Sequence, residues 1–293
     1  MSGQPTIMER FGKYFAPLPD IGATLKRLGL EGVDIPITKE GIDLLQWTML
    51  KTVPFENIDQ FDFDIAVDWG AADLFDKIVT RNRGGYCFEL NAFFMLVAQG
   101  IGFQAHQVAG RIMPADMSLA FEGYIPACAH RMTIVTIDGL RYVADVGYGN
   151  TTAFATPICI DIKEEQNIRG EFFSAEDAPY GYKVIIRHTA EGPKPNFMFH
   201  PDPHPLLDFI AYNNNLAKTG FRVKRIANLR TEEGAVSIDG NIYRETVNGV
   251  RNETPIPTPE DAFRILTERY GMILDPSKPL QAEGDRTPPP PQA

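Results

Sequence analysis

The chain has 293 residues, of which 44% are hydrophobic and 23% charged. This is ordinary globular usage, and it excludes a disordered, collagen-like or coiled-coil protein. The formal net charge of −10 disfavours a nucleic-acid-binding surface, because phosphate binding needs clustered Lys and Arg. Three cysteines are too few for a disulfide scaffold and indicate a reducing compartment. The sequence has neither a recognisable signal peptide nor a run of about 18 apolar residues, so we expect a cytoplasmic protein.

The first hundred or so residues are predicted to be mostly helical. Helices are expected over three ranges: 21–28, 39–51 and 71–79. Thr38 is a candidate N-cap for the second of them. In that helix, apolar side chains recur at intervals of three and four, as on one buried face: Ile42, Leu45 and Met49. A further helix is predicted to begin near Cys87 and to end at Gly100.

From about residue 104 the apolar pattern changes to a period of two, which is typical of β-strands. Strands are expected at 108–113, 132–137, 140–146 and 182–187. Asp138-Gly139, between the second and third of these, predicts a two-residue hairpin turn. Beyond residue 205 we expect a short helix from Leu206 and strands at 223–226 and 235–245. A final helix is expected to begin at Thr258-Pro259 and to end at Gly271.

The strongest chemical signal lies in residues 83–91, which read Arg-Gly-Gly-Tyr-Cys-Phe-Glu-Leu-Asn. The two glycines are expected to turn the backbone tightly into a helix and to put Cys87 in its first turn. The free N–H groups and the dipole at a helix start stabilise a thiolate, which is the nucleophilic form of cysteine. A buried structural cysteine is the competing interpretation, and the glycine entry favours the functional one.

The predicted hairpin selects a partner base for Cys87 from the five histidines. A two-residue turn at Asp138-Gly139 pairs Met132 with Asp145, and His130 lies two residues further along the same face. His130 and Asp145 are therefore expected to be within reach of each other, and a carboxylate beside an imidazole favours its charged form. Nucleophile, base and orienting carboxylate would then be Cys87, His130 and Asp145.

Other candidate sites are weaker. His200 and His204 have the spacing of metal ligands, but the prolines between them prevent the helix that would align them, so we expect no metal site. Glycine motifs for nucleotide phosphates are absent from the sequence. Nucleotide hydrolysis and dinucleotide-dependent redox chemistry are therefore disfavoured.

Three motifs together resemble those of the arylamine N-acetyltransferase family. They are the run at 83–91, Pro54-Phe55-Glu56-Asn57 before it, and Asp145-Val146-Gly147-Tyr148-Gly149 after it. The resemblance is strong over residues 40–150. It implies an α+β fold with a papain-like Cys-His-Asp core. The implied parts are an N-terminal helical bundle over 1–85 and a central antiparallel β-barrel domain over 86–204, with the nucleophile helix 86–99 at its start. A C-terminal α/β lid over 205–275 and a loose Pro-rich tail over 276–293 follow.

The resemblance also implies the reaction. Cys87 would take an acetyl group from acetyl-CoA and pass it to an arylamine, arylhydrazine or arylhydroxylamine in a ping-pong sequence, with no bound cofactor. By the same resemblance, the residues that line the acceptor pocket are Phe55, Phe88 and Tyr148, and those that contact CoA are Ala127 and Thr219. We expect small-molecule substrates and neither a nucleic-acid nor a membrane partner; the oligomeric state stays open.

Two other functions use the same residues. A transglutaminase-like or papain-like cysteine hydrolase would keep the Cys, His and Asp and use water or a peptide amine as the second reactant. A catalytically inactive binding module on the same fold would be expected to lack one member of the triad, and none is missing. The joint presence of Pro54-Phe55-Glu56-Asn57 and the run at 83–91 favours the acyltransferase.

Overall fold

The computed structural model describes residues 6–149, 153–217 and 220–284. Its helices within these ranges are α1 Ile7–Phe11, α2 Ile21–Arg27, α3 Lys39–Thr52, α4 Ile58–Phe61, α5 Ala71–Leu74, α6 Cys87–Ile101, α7 Met117–Phe121, α8 Asp208–Ala217 and α9 Pro259–Tyr270. A π-helical stretch, Phe75–Thr80, continues α5, and short 3₁₀ turns lie at Gly12–Tyr14, Pro179–Gly181 and Gly220–Arg222.

Helices α2, α3, α5 and α6 share one apolar core. Thr38 caps α3 as predicted, and its side chain accepts a hydrogen bond from the Gly41 N–H. Almost every residue of α6 is buried, because this helix packs against both α3 and the large sheet. The prediction that α6 ends at Gly100 was wrong. The helix continues to Ile101, and Gly102, with φ of 121°, ends it by donating its N–H to the carbonyl of Ala98.

The larger sheet has eight antiparallel strands in the order β5-β4-β3-β2-β9-β8-β7-β6. Their bounds are β2 Gln104–Ile112, β3 His130–Ile137, β4 Leu140–Ala144, β5 Ile158–Cys159, β6 Gln166–Ile168, β7 Glu171–Asp177, β8 Lys183–Thr189 and β9 Gly192–Phe199. The side chain of Gln166 on one edge strand accepts from the N–H and donates to the carbonyl of Cys159 on the other, each at 2.8 Å. These bonds join the two edges, so the sheet forms a nearly closed barrel around an apolar interior.

The smaller sheet has the order β1-β10-β11-β12-β13 and packs against α9. Its strands are β1 Phe55–Glu56, β10 Ile226–Arg230, β11 Gly234–Asp239, β12 Ile242–Val247 and β13 Val250–Pro255. The strand expected at 223–226 begins only at Ile226; the N–H of Arg225 is bonded to the Glu283 side chain at 2.8 Å and not to a neighbouring strand. The final helix starts at Pro259 after the Thr258 cap and stops at the left-handed Gly271, as predicted.

The whole is an α+β fold, as expected. The division at residues 85, 204 and 275 stays a prediction. Residues 276–284 differ from the expected loose tail: Leu280 is buried, and Gln281 donates its N–H to Asp62 while its carbonyl accepts from Arg225. Residues 285–293 lie outside the described part of the chain. Within the described ranges, no helix combines the length and apolar character needed to cross a bilayer.

Candidate active site

The β3–β4 hairpin brings His130 and Asp145 together. Asp138 and Gly139 both have positive φ, 51° and 81°, as a two-residue type I′ turn requires. The predicted register is confirmed from the turn to the pair Thr133–Ala144. The ladder stops there, one pair short of the predicted Met132–Asp145 pair, so Asp145 is the first residue after β4. Its carboxylate Oδ2 lies 2.7 Å from His130 Nε2.

His130 is buried and is charged in this environment. Its ring stacks on Phe197 and meets the edge of Tyr148. Burial alone disfavours the imidazolium, but the Asp145 carboxylate and a hydrogen bond with Cys87 outweigh it and raise the pKa of His130 to about 10. Because Nε2 is bonded to Asp145, Nδ1 is the nitrogen left for Cys87.

Cys87 is the first residue of α6, as the sequence predicted, and only 4% of its surface is exposed. The loop after Asp145 lies directly on it. A Cβ built on Gly147 would come within 2.7 Å of the Cys87 Cα, so any other residue there would push the loop away from the helix. Gly147 therefore lets the end of the hairpin approach the start of α6, which brings Cys87, His130 and Asp145 into one site.

Two further side chains hold Asp145 and were not identified from the sequence. Asn91 donates to Asp145 Oδ1 at 2.9 Å, beside the Gly147 N–H at 2.8 Å. Gln46 accepts the Asp145 N–H at 3.1 Å. Asn91 follows Cys87 by four residues, and this helical spacing on one face could have identified it. Gln46 is a polar residue buried on the apolar face of α3, for which no local motif exists.

A network of buried ion pairs contacts the first turn of α6. Lys77 Nζ lies 2.8 Å from both Glu89 Oε1 and Asp59 Oδ2, and Arg83 bonds Asp59 and Glu56. The other oxygen of Glu89 accepts the N–H of the helix N-cap, Tyr86, at 3.0 Å. The network thus ties the helix entry to residues of the preceding motif.

Gly84 and Gly85 were expected to turn the chain tightly into α6. Neither has a positive φ. Their backbone instead runs beside the preceding motif: Glu56 donates its N–H to the Gly85 carbonyl at 2.9 Å, and Phe55 and Gly85 form a parallel bridge. The two motifs around residues 54 and 83 therefore contact each other through backbone hydrogen bonds as well as through ion pairs.

We expect Lys77→Met to lower the free energy of unfolding by about 3–5 kcal/mol, because it leaves buried carboxylates short of a positive charge. Urea denaturation followed by circular dichroism measures the change. Lys194→Met is the matched control, since Lys194 pairs with the exposed Glu191 at the surface and its loss is expected to change stability little. Equal effects of the two substitutions would contradict a stabilising role for the network.

The structure separates the three residues predicted to line the acceptor pocket. Tyr148 lies beside the His130 ring, with ring centroids 6.0 Å apart. Phe55 lines a narrow cleft together with Val146 and Gly149 from the loop after Asp145. Phe88 is fully buried and packs against Tyr86 and Phe209. Tyr148 and Phe55 thus lie in or next to the loop that carries Asp145, whereas Phe88 lies in the core behind Cys87.

Of the two residues predicted to contact CoA, Ala127 is exposed in the loop before β3, three residues from His130. Thr219 lies outside the described residues. The same loop carries Cys128, whose Sγ lies 3.5 Å from the carbonyl oxygen of His130, and burial raises the pKa of its thiol to about 11.

Comparisons with known proteins agree with this geometry. The family model described as N-acetyltransferase matches residues 40–279. An arylamine N-acetyltransferase of Mycolicibacterium smegmatis is 30% identical over 193 residues, 64% of this chain and 67% of that protein. The chain belongs to the arylamine N-acetyltransferase family.

Two more proteins extend the comparison with this family. Arylamine N-acetyltransferase 1 of Homo sapiens is 28% identical over 295 residues, 91% of this chain and 98% of that protein. The structure of the Mycobacterium marinum arylamine N-acetyltransferase in complex with CoA shares the fold, with a TM-score of 0.73 and 22% identity over 86% of this chain and 93% of that one. Membership of this family of acyltransferases disfavours the cysteine hydrolase and the inactive binding module.

Proposed function

We propose that this arylamine N-acetyltransferase family member acetylates arylamines, arylhydrazines or arylhydroxylamines with acetyl-CoA, through a thioester on Cys87. The observation that carries the proposal is the assembly of Cys87, His130 and Asp145 in one buried site with the His130 ring held as an imidazolium. An imidazole beside a cysteine can hold the proton of the thiol, and the resulting thiolate is the nucleophilic form of the residue.

In the first half of the reaction, the Cys87 thiolate attacks the carbonyl carbon of acetyl-CoA. A bond forms between Sγ and that carbon, and the bond from the carbon to the CoA sulfur breaks. The leaving CoA thiolate takes the proton of the His130 imidazolium, so CoA departs as a thiol and His130 becomes neutral. Asp145 keeps the ring oriented during this transfer through its 2.7 Å contact with Nε2.

In the second half, the amine nitrogen of the acceptor attacks the thioester carbon. The bond from carbon to Sγ breaks, and the amine proton passes to neutral His130. This restores the thiolate and the imidazolium, so the enzyme returns to its starting state without a cofactor. The aromatic rings of Tyr148 and Phe55 suit an aryl acceptor, since ring faces and edges pack favourably.

The donor is proposed on two grounds. Relatives across the chain's length are named N-acetyltransferases, and the Mycobacterium marinum enzyme has been solved in complex with CoA. We infer that CoA passes Ala127 at the mouth of the site. The three free cysteines favour a reducing compartment, and we infer that the enzyme works in the cytoplasm.

Mass spectrometry of the intact protein tests the acyl-enzyme. After incubation with acetyl-CoA alone, we expect the mass to increase by one acetyl group, and peptide mapping is expected to place it on Cys87. Addition of an arylamine should remove the adduct and release the acetylated amine. An adduct on another residue, or one that survives the arylamine, would contradict the ping-pong mechanism. Parallel incubation with longer and acidic acyl-CoAs identifies the preferred donor.

A further inference from the structure

Arg131 lies directly after His130 but points to the opposite face of β3. His130 faces Phe197 and the barrel, whereas Arg131 faces α6, because successive strand side chains alternate. Its Nη1 donates to the carbonyl of Phe88 at 3.2 Å, in the first turn of α6. Only 1% of the residue is exposed. A buried cation therefore lies beside the helix start that carries Cys87.

The surroundings of Arg131 contain no carboxylate within ion-pair distance among the described residues. The guanidinium lies between two aromatic rings, 4.4 Å from the Trp69 centroid and 4.7 Å from that of Phe209, and its Nε donates to the amide oxygen of Gln107. The other buried cations differ: each has a carboxylate partner, as Lys77, Arg83 and Arg225 do. Arg131 alone of these four has no Asp or Glu partner among the described residues.

Two side chains that can lose a proton lie near the guanidinium of Arg131 in the described part of the chain. Burial lowers its pKa to about 9, which leaves it protonated at neutral pH, and the two groups that favour the cation are Cys87 and Tyr86. Burial raises the pKa of Tyr86 well above 10, and its hydroxyl is hydrogen-bonded to Asn213, so Tyr86 is neutral. The remaining group is Cys87, which precedes Phe88 in the first turn of α6 and carries a negative charge when it acts as a nucleophile.

We propose that Arg131 is a positioning residue that stabilises the Cys87 thiolate from the helix side, while His130 stabilises it from the barrel side. The proposal rests on the proposed function only in taking Cys87 as the nucleophile. Trp69 and Phe209 exclude water from the guanidinium, and low local polarity strengthens the attraction between the two charges. The aromatic faces also hold the cation without neutralising it, as a carboxylate would.

The test compares the pH dependence of Cys87 alkylation by iodoacetamide in wild type, Arg131→Met, Arg131→Gln and Arg131→Lys. Thiolate ultraviolet absorbance, with Cys87→Ser as the blank, provides a second readout. The midpoint of each profile is the pH at which the alkylation rate reaches half its maximum. In Arg131→Met and Arg131→Gln the midpoint should rise by about one pH unit, and Arg131→Lys, which keeps the charge, should stay close to wild type.

Arg225→Met is the matched control. Arg225 is equally buried but pairs with Asp62 and Glu283, so its loss should lower the melting temperature and leave the alkylation midpoint unchanged. The Arg131→Met variant is expected to fold, since an apolar side chain of similar length fits between two aromatic rings. If Arg131→Met does not fold, the comparison is made with Arg131→Gln.

Three outcomes would overturn the proposal: midpoints that coincide in wild type, Arg131→Met and Arg131→Gln, an equal shift in Arg225→Met, or an Arg131→Lys profile that follows Arg131→Met. Alkylation requires neither acetyl-CoA nor an amine. A protein that forms no acetyl adduct but shows the predicted shifts would therefore refute the proposed function and leave the role of Arg131 supported. An acetyl adduct on Cys87 together with coinciding alkylation profiles would support the proposed function and refute the role of Arg131.

Discussion

Replacement of Cys87 by Ser is expected to reduce acetyl transfer by about 10³-fold or more while the protein stays folded. The serine hydroxyl is not ionised at neutral pH and cannot form the ion pair with His130, and one exchanged atom at a buried position disturbs packing little. Steady-state assays with acetyl-CoA and an arylamine measure the loss. Circular dichroism and the melting temperature establish that the variant is folded.

Cys159→Ser is the matched control for this experiment. Cys159 is also a buried free cysteine, but it lies in β5, where the two edges of the larger sheet meet and its backbone is hydrogen-bonded to the Gln166 side chain. We expect its variant to keep wild-type turnover. Near-normal turnover in Cys87→Ser would remove Cys87 from the mechanism, whatever the behaviour of the control.

Asp145→Asn is expected to lower turnover by about 10⁴-fold, the loss seen when the carboxylate of a comparable triad is replaced by an amide. The oxygen of the new amide can still accept from Asn91 and the Gly147 N–H, as Oδ1 of Asp145 does. This orientation turns the NH₂ group toward His130 Nε2. Nε2 must then be an unprotonated acceptor, which puts the proton of the neutral ring on Nδ1, facing Cys87.

The pH dependence of this variant follows from the same contact. With Asp145 present, the pKa of His130 is raised to about 10, so the imidazolium persists from acidic pH up to that value. Without the carboxylate, burial favours the neutral ring, and the thiolate–imidazolium pair should be lost at neutral pH. Iodoacetamide alkylation at neutral pH should slow accordingly.

Asp161→Asn provides the comparison for Asp145→Asn. Asp161 is paired with Arg141 at the edge of the same sheet and is not among the contacts of the three site residues. We expect it to retain wild-type turnover. If Asp145→Asn came within tenfold of wild type, Asp145 would not be required to orient His130.

The contact between His130 and Asp145 could be predicted because it depends on a local rule. A two-residue turn sets the register of its hairpin, and the strand period of two then places side chains on faces. The position of Cys87 at a helix start was equally local. By contrast, β7 and β9 were not predicted as strands. β9 contains Pro193 and Pro195, which weaken a strand pattern and here sit on a strand with a register shift opposite Ile185–Ile186.

The amino-acid sequence was thus enough to predict the α+β fold class, the start of the nucleophile helix and the hairpin that pairs a histidine with a carboxylate. The surroundings of these residues became known from the folded structure: the contacts of Gln46 and Asn91 with Asp145, and the place of Arg131 between Trp69 and Phe209. Turn chemistry and strand alternation act between residues a few positions apart. These other contacts join segments up to a hundred residues apart, and they form only when helices and barrel pack together.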